Sequence, residues 1–206
     1  MRNTTILLSS LVFLTLTSLT KIKSLTVTST AFTNNGNIPV KYTCTGQQVS
    51  PPLNIANIPT EAKSLVIIVC DPDAPTKITT SVTKSHTLGT KGKKKVINTK
   101  ESRTMDACTA DGFTHWILWN VDISEASHLI PEDFRGDNVG QNSSGTSGYV
   151  GMCPPTGTHH YHFMVYALDT KLNVDKKITK SGMEKVMQGH ILAKGELVGL
   201  YNKTYK

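Results

Sequence analysis

The sequence predicts a mainly β domain, a sandwich of two sheets with few short helices. Short apolar segments of strand length recur along the chain, Gly, Pro and Asn clusters divide them, and only one stretch has helical spacing. The 206 residues fit one domain with a sizeable core. No internal repeat is evident.

The first 24 residues read as a separate part. Arg2 precedes an apolar stretch over residues 6–19, and the next charge is Lys21. This is a secretory signal pattern. Ser9, Ser10, Thr15, Thr17 and Ser18 dilute the stretch, which is shorter than the roughly 20 apolar residues a membrane span needs. The expected boundary follows Ser24, leaving a domain over residues 25–206 in a secreted or periplasmic protein.

Within the domain, residues 25–30 alternate Leu25, Val27 and Ser29 against Thr26 and Thr28, a strand pattern. Asn34-Asn35-Gly36-Asn37 is a turn signal of the kind that separates paired strands. Residues 64–70 form a continuous β-branched run suited to a strand buried on both faces. Residues 115–121 and 161–168 are two more long apolar strands, and residues 196–201 supply a last one. Only residues 181–192 read as a helix, with Met183, Val186, Met187 and His190 or Ile191 at helical spacing, and Gly189 weakens its second half.

Residues 76–110 stand apart as a basic loop insertion, rich in Thr, Ser and Lys and too poor in large apolar residues to offset the cost of ordering. The chain carries a net charge of +7; this insertion supplies +6 and Arg2, Lys21 and Lys23 three more, so the remaining body is at −2. The charge is therefore local, and the body offers no basic face for nucleic acid.

Cys44, Cys70, Cys108 and Cys153 are an even set, which favours disulfides in an exported protein. Three pairings are open. Cys70 and Cys108 sit at the ends of core strands flanking the same insertion and are the expected pair. No close cysteine pair exists, which argues against a zinc site.

Three polar clusters stand at strand ends. In Asp71-Pro72-Asp73-Ala74-Pro75 two prolines fix the chain as it leaves the sheet and can present a carboxylate rigidly. In Phe113-Thr114-His115-Trp116, alternation gives His115 the face of Ile117 and Trp119. In the run from Gly148 to Phe163, His159, Tyr161 and Phe163 share one face while His160, His162 and Met164 share the other. The histidines thus split into pairs, too few ligands for a metal. No Gly-x-Ser-x-Gly elbow occurs, and Cys153 is wedged between Met152 and a Pro-Pro pair, so no enzyme is expected.

Together these clusters resemble the phosphatidylethanolamine-binding protein family, in particular its bacterial and archaeal Raf kinase inhibitor-like branch. The residues that carry the resemblance are Asp71 through Pro75, His115-Trp116, Gly148-Tyr149, and Cys153 through His159 with Tyr161. Tyr42 through Gly46, Val49 through Leu53, and Gly189-His190 with residues 197–201 extend it over residues 25–201. It implies a β-sandwich with a small anion-binding pocket at one rim, formed by Asp71, Pro75, His115, Pro154, His159 and Tyr161, with Phe113 as an aromatic wall. No catalytic residue, metal or cofactor is implied. The expected partner is a small anionic, phosphate-like ligand, a phospholipid headgroup among the candidates; the alternative is a protein-directed inhibitor, for which export favours a serine protease as target. Two imidazoles and a phenol suit an oxyanion, and at least one imidazole is expected to be protonated, its pKa raised by Asp71. His160 stands where the family often has Arg.

Overall fold

The computed structural model describes residues 22–74, 108, 112–123 and 128–203. Nine strands occur among them: β1 (Lys23–Ser24), β2 (Thr26–Thr28), β3 (Gly36–Asn37), β4 (Leu53–Ala56), β5 (Ser64–Asp71), β6 (Phe113–Val121), β7 (His128–Ile130), β8 (Thr158–Leu168) and β9 (Ile191–Asn202), with one α-helix, α1 (Lys180–Met187). The large sheet runs β1-β9-β8-β5-β6, with β3 also on β9, and the small sheet runs β2-β4-β7.

Alternation explains how the layers stack. All eight residues of β5 are buried. Leu65, Ile67 and Val69 join the core between the sheets, while Val66, Ile68 and Cys70 join a second apolar cluster on the other face. Met183 and Met187 of α1 belong to that second cluster. The large sheet is therefore the middle layer, which is why its central strand reads as a continuous apolar run. β8 obeys the same rule, with Tyr161, Phe163 and Val165 toward the small sheet and Met164 and Tyr166 toward α1.

Three elements depart from expectation. The helix ends at Met187, five residues short, because Gly189 takes a positive φ of 83° and Ile191 is already paired with Leu168 in the sheet. The Asn34–Asn37 turn does not join paired strands: β2 pairs antiparallel with β4 and β3 pairs parallel with β9, so the turn carries the chain between sheets. Lys23 and Ser24, ahead of the expected boundary, form β1 and pair with Ala193 and Lys194. A cut after Ser24 would take this strand off the sheet.

Two disulfides are formed. Cys70–Cys108 is the expected pair, with Cα atoms 5.8 Å apart; Cys44–Cys153 is the other, at 5.4 Å, and both distances lie in the range a disulfide spans. The insertion at 76–110 lies outside the described residues except for Cys108, which is only 2 % exposed.

Candidate functional site

Three neighbouring strands place the polar clusters at one edge of the large sheet. β5 ends there at Asp71, and its antiparallel neighbours β6 and β8 begin there at Phe113 and Thr158. Asp71 is opposite Phe113, Cys70 opposite Thr114, and Val69 opposite Trp116, so His115 is the extra residue of a β-bulge. The bulge changes which face His115 takes. Simple alternation would set it with Ile117 and Trp119, on the α1 side. Instead its ring lies 4.7 Å from that of Phe113 and 5.3 Å, edge-on, from that of Tyr161, on the small-sheet side.

The Asp71 carboxylate is the hub. Its Oδ1 accepts hydrogen bonds from the backbone N–H groups of Asp73 (2.9 Å) and Ala74 (3.1 Å), and its Oδ2 lies 2.7 Å from Nδ1 of His159. Asp71 and His159 are both buried, as a carboxylate with three donors can be. The His115 ring is fixed by a different acceptor, the carbonyl of Val150, 2.8 Å from Nδ1. Because a carbonyl only accepts, Nδ1 carries the proton and donates. Nε2 of each histidine makes no hydrogen bond among the described residues. Tyr161 is fully buried, its ring stacked 6.4 Å from that of His159, and among the described residues its hydroxyl meets no partner at good hydrogen-bond geometry, although the Asp71 carboxylate acts on it.

A cavity of about 440 Å³ opens against this cluster. Of the expected site residues, Asp71, Phe113 and His115 line it. His159 and Tyr161 stand behind the wall, the first bonded to Asp71 and the second packed on both imidazoles. Pro154 does not line the cavity; it is buried, and Pro155 takes the wall position. Pro75 lies outside the described residues. The sequence reading missed Cys44 and Cys153, whose disulfide forms part of the wall, and Gln48, Ser144, Val150 and Gly151.

Ser144 could have been found through its neighbour. Asn142 begins an Asn-Ser-Ser sequon, yet its side chain is buried and fully engaged. Its Nδ2 donates to Thr146 Oγ1 and the Gly148 carbonyl, and its Oδ1 accepts from the backbone N–H groups of Ser144 and Thr146. Ser143 ties the same loop to β6 by exchanging bonds with both backbone groups of Thr114. Asn142 is thus a turn-forming residue that sets Ser144 at the cavity.

For His115, one of the two imidazoles, the electrostatics reverse the expected rise. Burial pushes His115 down from 6.5 to about 4, outweighing the Val150 hydrogen bond and the nearby Asp71 charge, so at neutral pH this imidazole is neutral and its Nε2 is an acceptor. Burial, reinforced by Asp71, raises the Tyr161 hydroxyl well above the usual phenol range, so it keeps its proton. Among the described residues that line the cavity, Asp71 is the only carboxylate and there is no Lys or Arg.

A sequence profile described as phosphatidylethanolamine-binding protein matches residues 28–103 and 102–202. The chain belongs to the phosphatidylethanolamine-binding protein family. Among its relatives, a UPF0098 protein of Pyrococcus horikoshii is 41 % identical over 183 residues, 85 % of this chain and 75 % of the relative. A UPF0098 protein of Methanothermobacter thermautotrophicus is 36 % identical over 178 residues, 84 % of this chain and 95 % of the relative. Of solved structures, a phosphatidylethanolamine-binding protein homologue from Chlamydia trachomatis superposes with a TM-score of 0.67 at 34 % identity, covering 88 % of this chain and 99 % of that one.

Proposed function

We propose that the rim cavity binds a small phosphate-like anion together with one proton, and that the protein acts as a ligand-binding protein rather than an enzyme. The observation that carries this reading is the polar set in the cavity wall: His115, whose Nε2 makes no hydrogen bond among the described residues, with Gln48 and Ser144 beside it as donors. An unsatisfied buried polar group costs about 1–3 kcal/mol, a cost that a ligand donor to Nε2 would remove. The proton follows from the rest of the cluster. Gln48 and Ser144 offer donors, but neutral His115 presents an acceptor and Asp71 repels a second negative charge. A phosphate group bearing one O–H satisfies donor and acceptor alike; the bare dianion does not. A phosphomonoester such as a free headgroup phosphate has this chemistry, since its second pKa lies near about 6.

The test is calorimetry with inorganic phosphate, phosphoethanolamine and a phosphodiester, below about pH 6 and near pH 8. The monoesters should bind more tightly at the lower pH, and at the higher pH should take up close to one proton, read from runs in buffers of different ionisation enthalpy. The diester has no second proton and should show no such dependence. His115→Phe should weaken phosphate binding about tenfold to a hundredfold, the loss of one hydrogen bond to a charged group. Binding of monoester and diester that is equal at both pH values would sink the proton-sharing account. No binding of any of them, with inhibition of a serine protease instead, would replace the reading with a protein-directed one. Export is part of the same proposal and is supported by the two disulfides; N-terminal sequencing of the mature protein from the extracellular or periplasmic fraction tests it.

A further inference from the structure

The two disulfides sit in opposite surroundings. Cys70 and Cys108 are 1 % and 2 % exposed and lie in the apolar cluster beneath α1, with the Lys180 ammonium on the Cys108 carbonyl and both sulfurs shielded by burial. Cys153 is exposed and Cys44 half-buried, and both line the ligand cavity. The two sulfurs of this second bridge also differ from one another. Nζ of Lys203 lies 3.6 Å from Sγ of Cys153. We infer that Cys44–Cys153 is a thiol-exchange site, at which a low-molecular-weight thiol forms a mixed disulfide with Cys44 and its adduct enters the cavity.

The direction of exchange follows from the ammonium group. A cation next to one sulfur stabilises that sulfur as a thiolate and makes it the better leaving group. An incoming thiolate RS⁻ therefore attacks Sγ of Cys44. The RS–Sγ bond to Cys44 forms, the Sγ–Sγ bond breaks, and the electron pair leaves on Cys153 as a thiolate beside Lys203. A second thiolate RS⁻ attacking the adduct at the RS sulfur releases RS–SR and leaves Cys44 reduced, so the two electrons that open the bridge come from two thiols.

The fold survives this opening because the two loops are held independently up to Met152. The Cys44 N–H donates to the Met152 carbonyl at 3.0 Å, and the Tyr149 hydroxyl donates to the Tyr42 carbonyl at 2.7 Å. Gly151 packs so tightly that a Cβ there would lie 2.7 Å from the Thr43 carbonyl carbon. Opening the bridge releases only the stretch from Cys153 to the start of β8, which includes the wall residue Pro155. None of this requires the cavity to bind phosphate.

Glutathione titrated into the oxidised protein, with non-reducing peptide mapping at each step, tests the inference. Expected are an adduct on Cys44, none on Cys153, and an intact Cys70–Cys108 bridge. Lys203→Ala should slow adduct formation by about threefold to tenfold, because the leaving thiol loses its stabilising charge. In the adduct, the NMR resonances of the His115 ring should shift and those of the distant His190 ring should not. An adduct on Cys153, both bridges opening at the same glutathione concentration, an unchanged rate in Lys203→Ala, or an unmoved His115 would each overturn the proposal. Failure of phosphate binding with selective exchange intact would count against the anion-binding reading alone.

Discussion

His159 and His160 are consecutive, and each meets a carboxylate from the same turn. Nδ1 of His159 is 2.7 Å from Asp71, and Nδ1 of His160 is 2.8 Å from Asp73. Bond lengths hardly differ, but surroundings do: the side chains of the first pair are 8 % and 4 % exposed, those of the second 51 % and 42 %. One-residue alternation along β8 puts the first pair against the cavity and the second in water. The same interaction is thus used for two purposes. Inside, it holds a carboxylate where water cannot; outside, it trims a strand end. His160, at the position where Arg is common in the family, therefore bonds the second aspartate of the turn and leaves Asp71 to His159.

The sharpest way to break this comparison is to remove the histidines one at a time. His159→Ala leaves the Asp71 carboxylate buried with two backbone donors and no ring partner, and should cost about 3–5 kcal/mol in chemical denaturation. A loss below about 1 kcal/mol would mean that the turn amides alone satisfy Asp71.

The next effect concerns the other buried imidazole. A histidine whose folded pKa is lowered contributes stability that is full above its unfolded value and is lost as pH falls. For His115 that window runs from 6.5 down to about 4, and the loss across it is on the order of 3 kcal/mol. His115→Gln should flatten this part of the stability profile. An unchanged slope would show that His115 titrates normally and that water reaches its ring.

A smaller effect is expected of Tyr161→Phe, which removes a buried hydroxyl without a well-placed partner among the described residues. The unliganded protein should gain about 1 kcal/mol or lose nothing in denaturant midpoint; a clear loss would reveal a hydrogen bond to that hydroxyl. Least affected should be His160→Ala, with a change within about 1 kcal/mol. Partial burial alone would raise the Asp73 carboxyl, but hydrogen bonds from the His160 ring and backbone N–H hold it below the usual range. Its titration, followed by NMR, should therefore move up when the ring is lost. A stability loss matching that of His159→Ala would erase the distinction between the two sides of β8.

Local patterns were enough to read much of this site. The β-branched run of β5, the Asp-Pro turn that follows it and the opposite facing of His159 and His160 all depend on residues adjacent in sequence, and strand period and proline geometry are local properties. The chain also disclosed its family through the order of its motifs. What the sequence left undecided depends on residues far apart. Which face His115 takes was settled by a bulge, a mismatch in count between two strands that neither strand records alone. Cys44 found Cys153 across 109 residues and brought a disulfide into the cavity wall. Pro155 replaced Pro154 in that wall. The neutrality of His115, too, is a property of the packed layers around it, since only burial from every side makes the charged form too costly to keep.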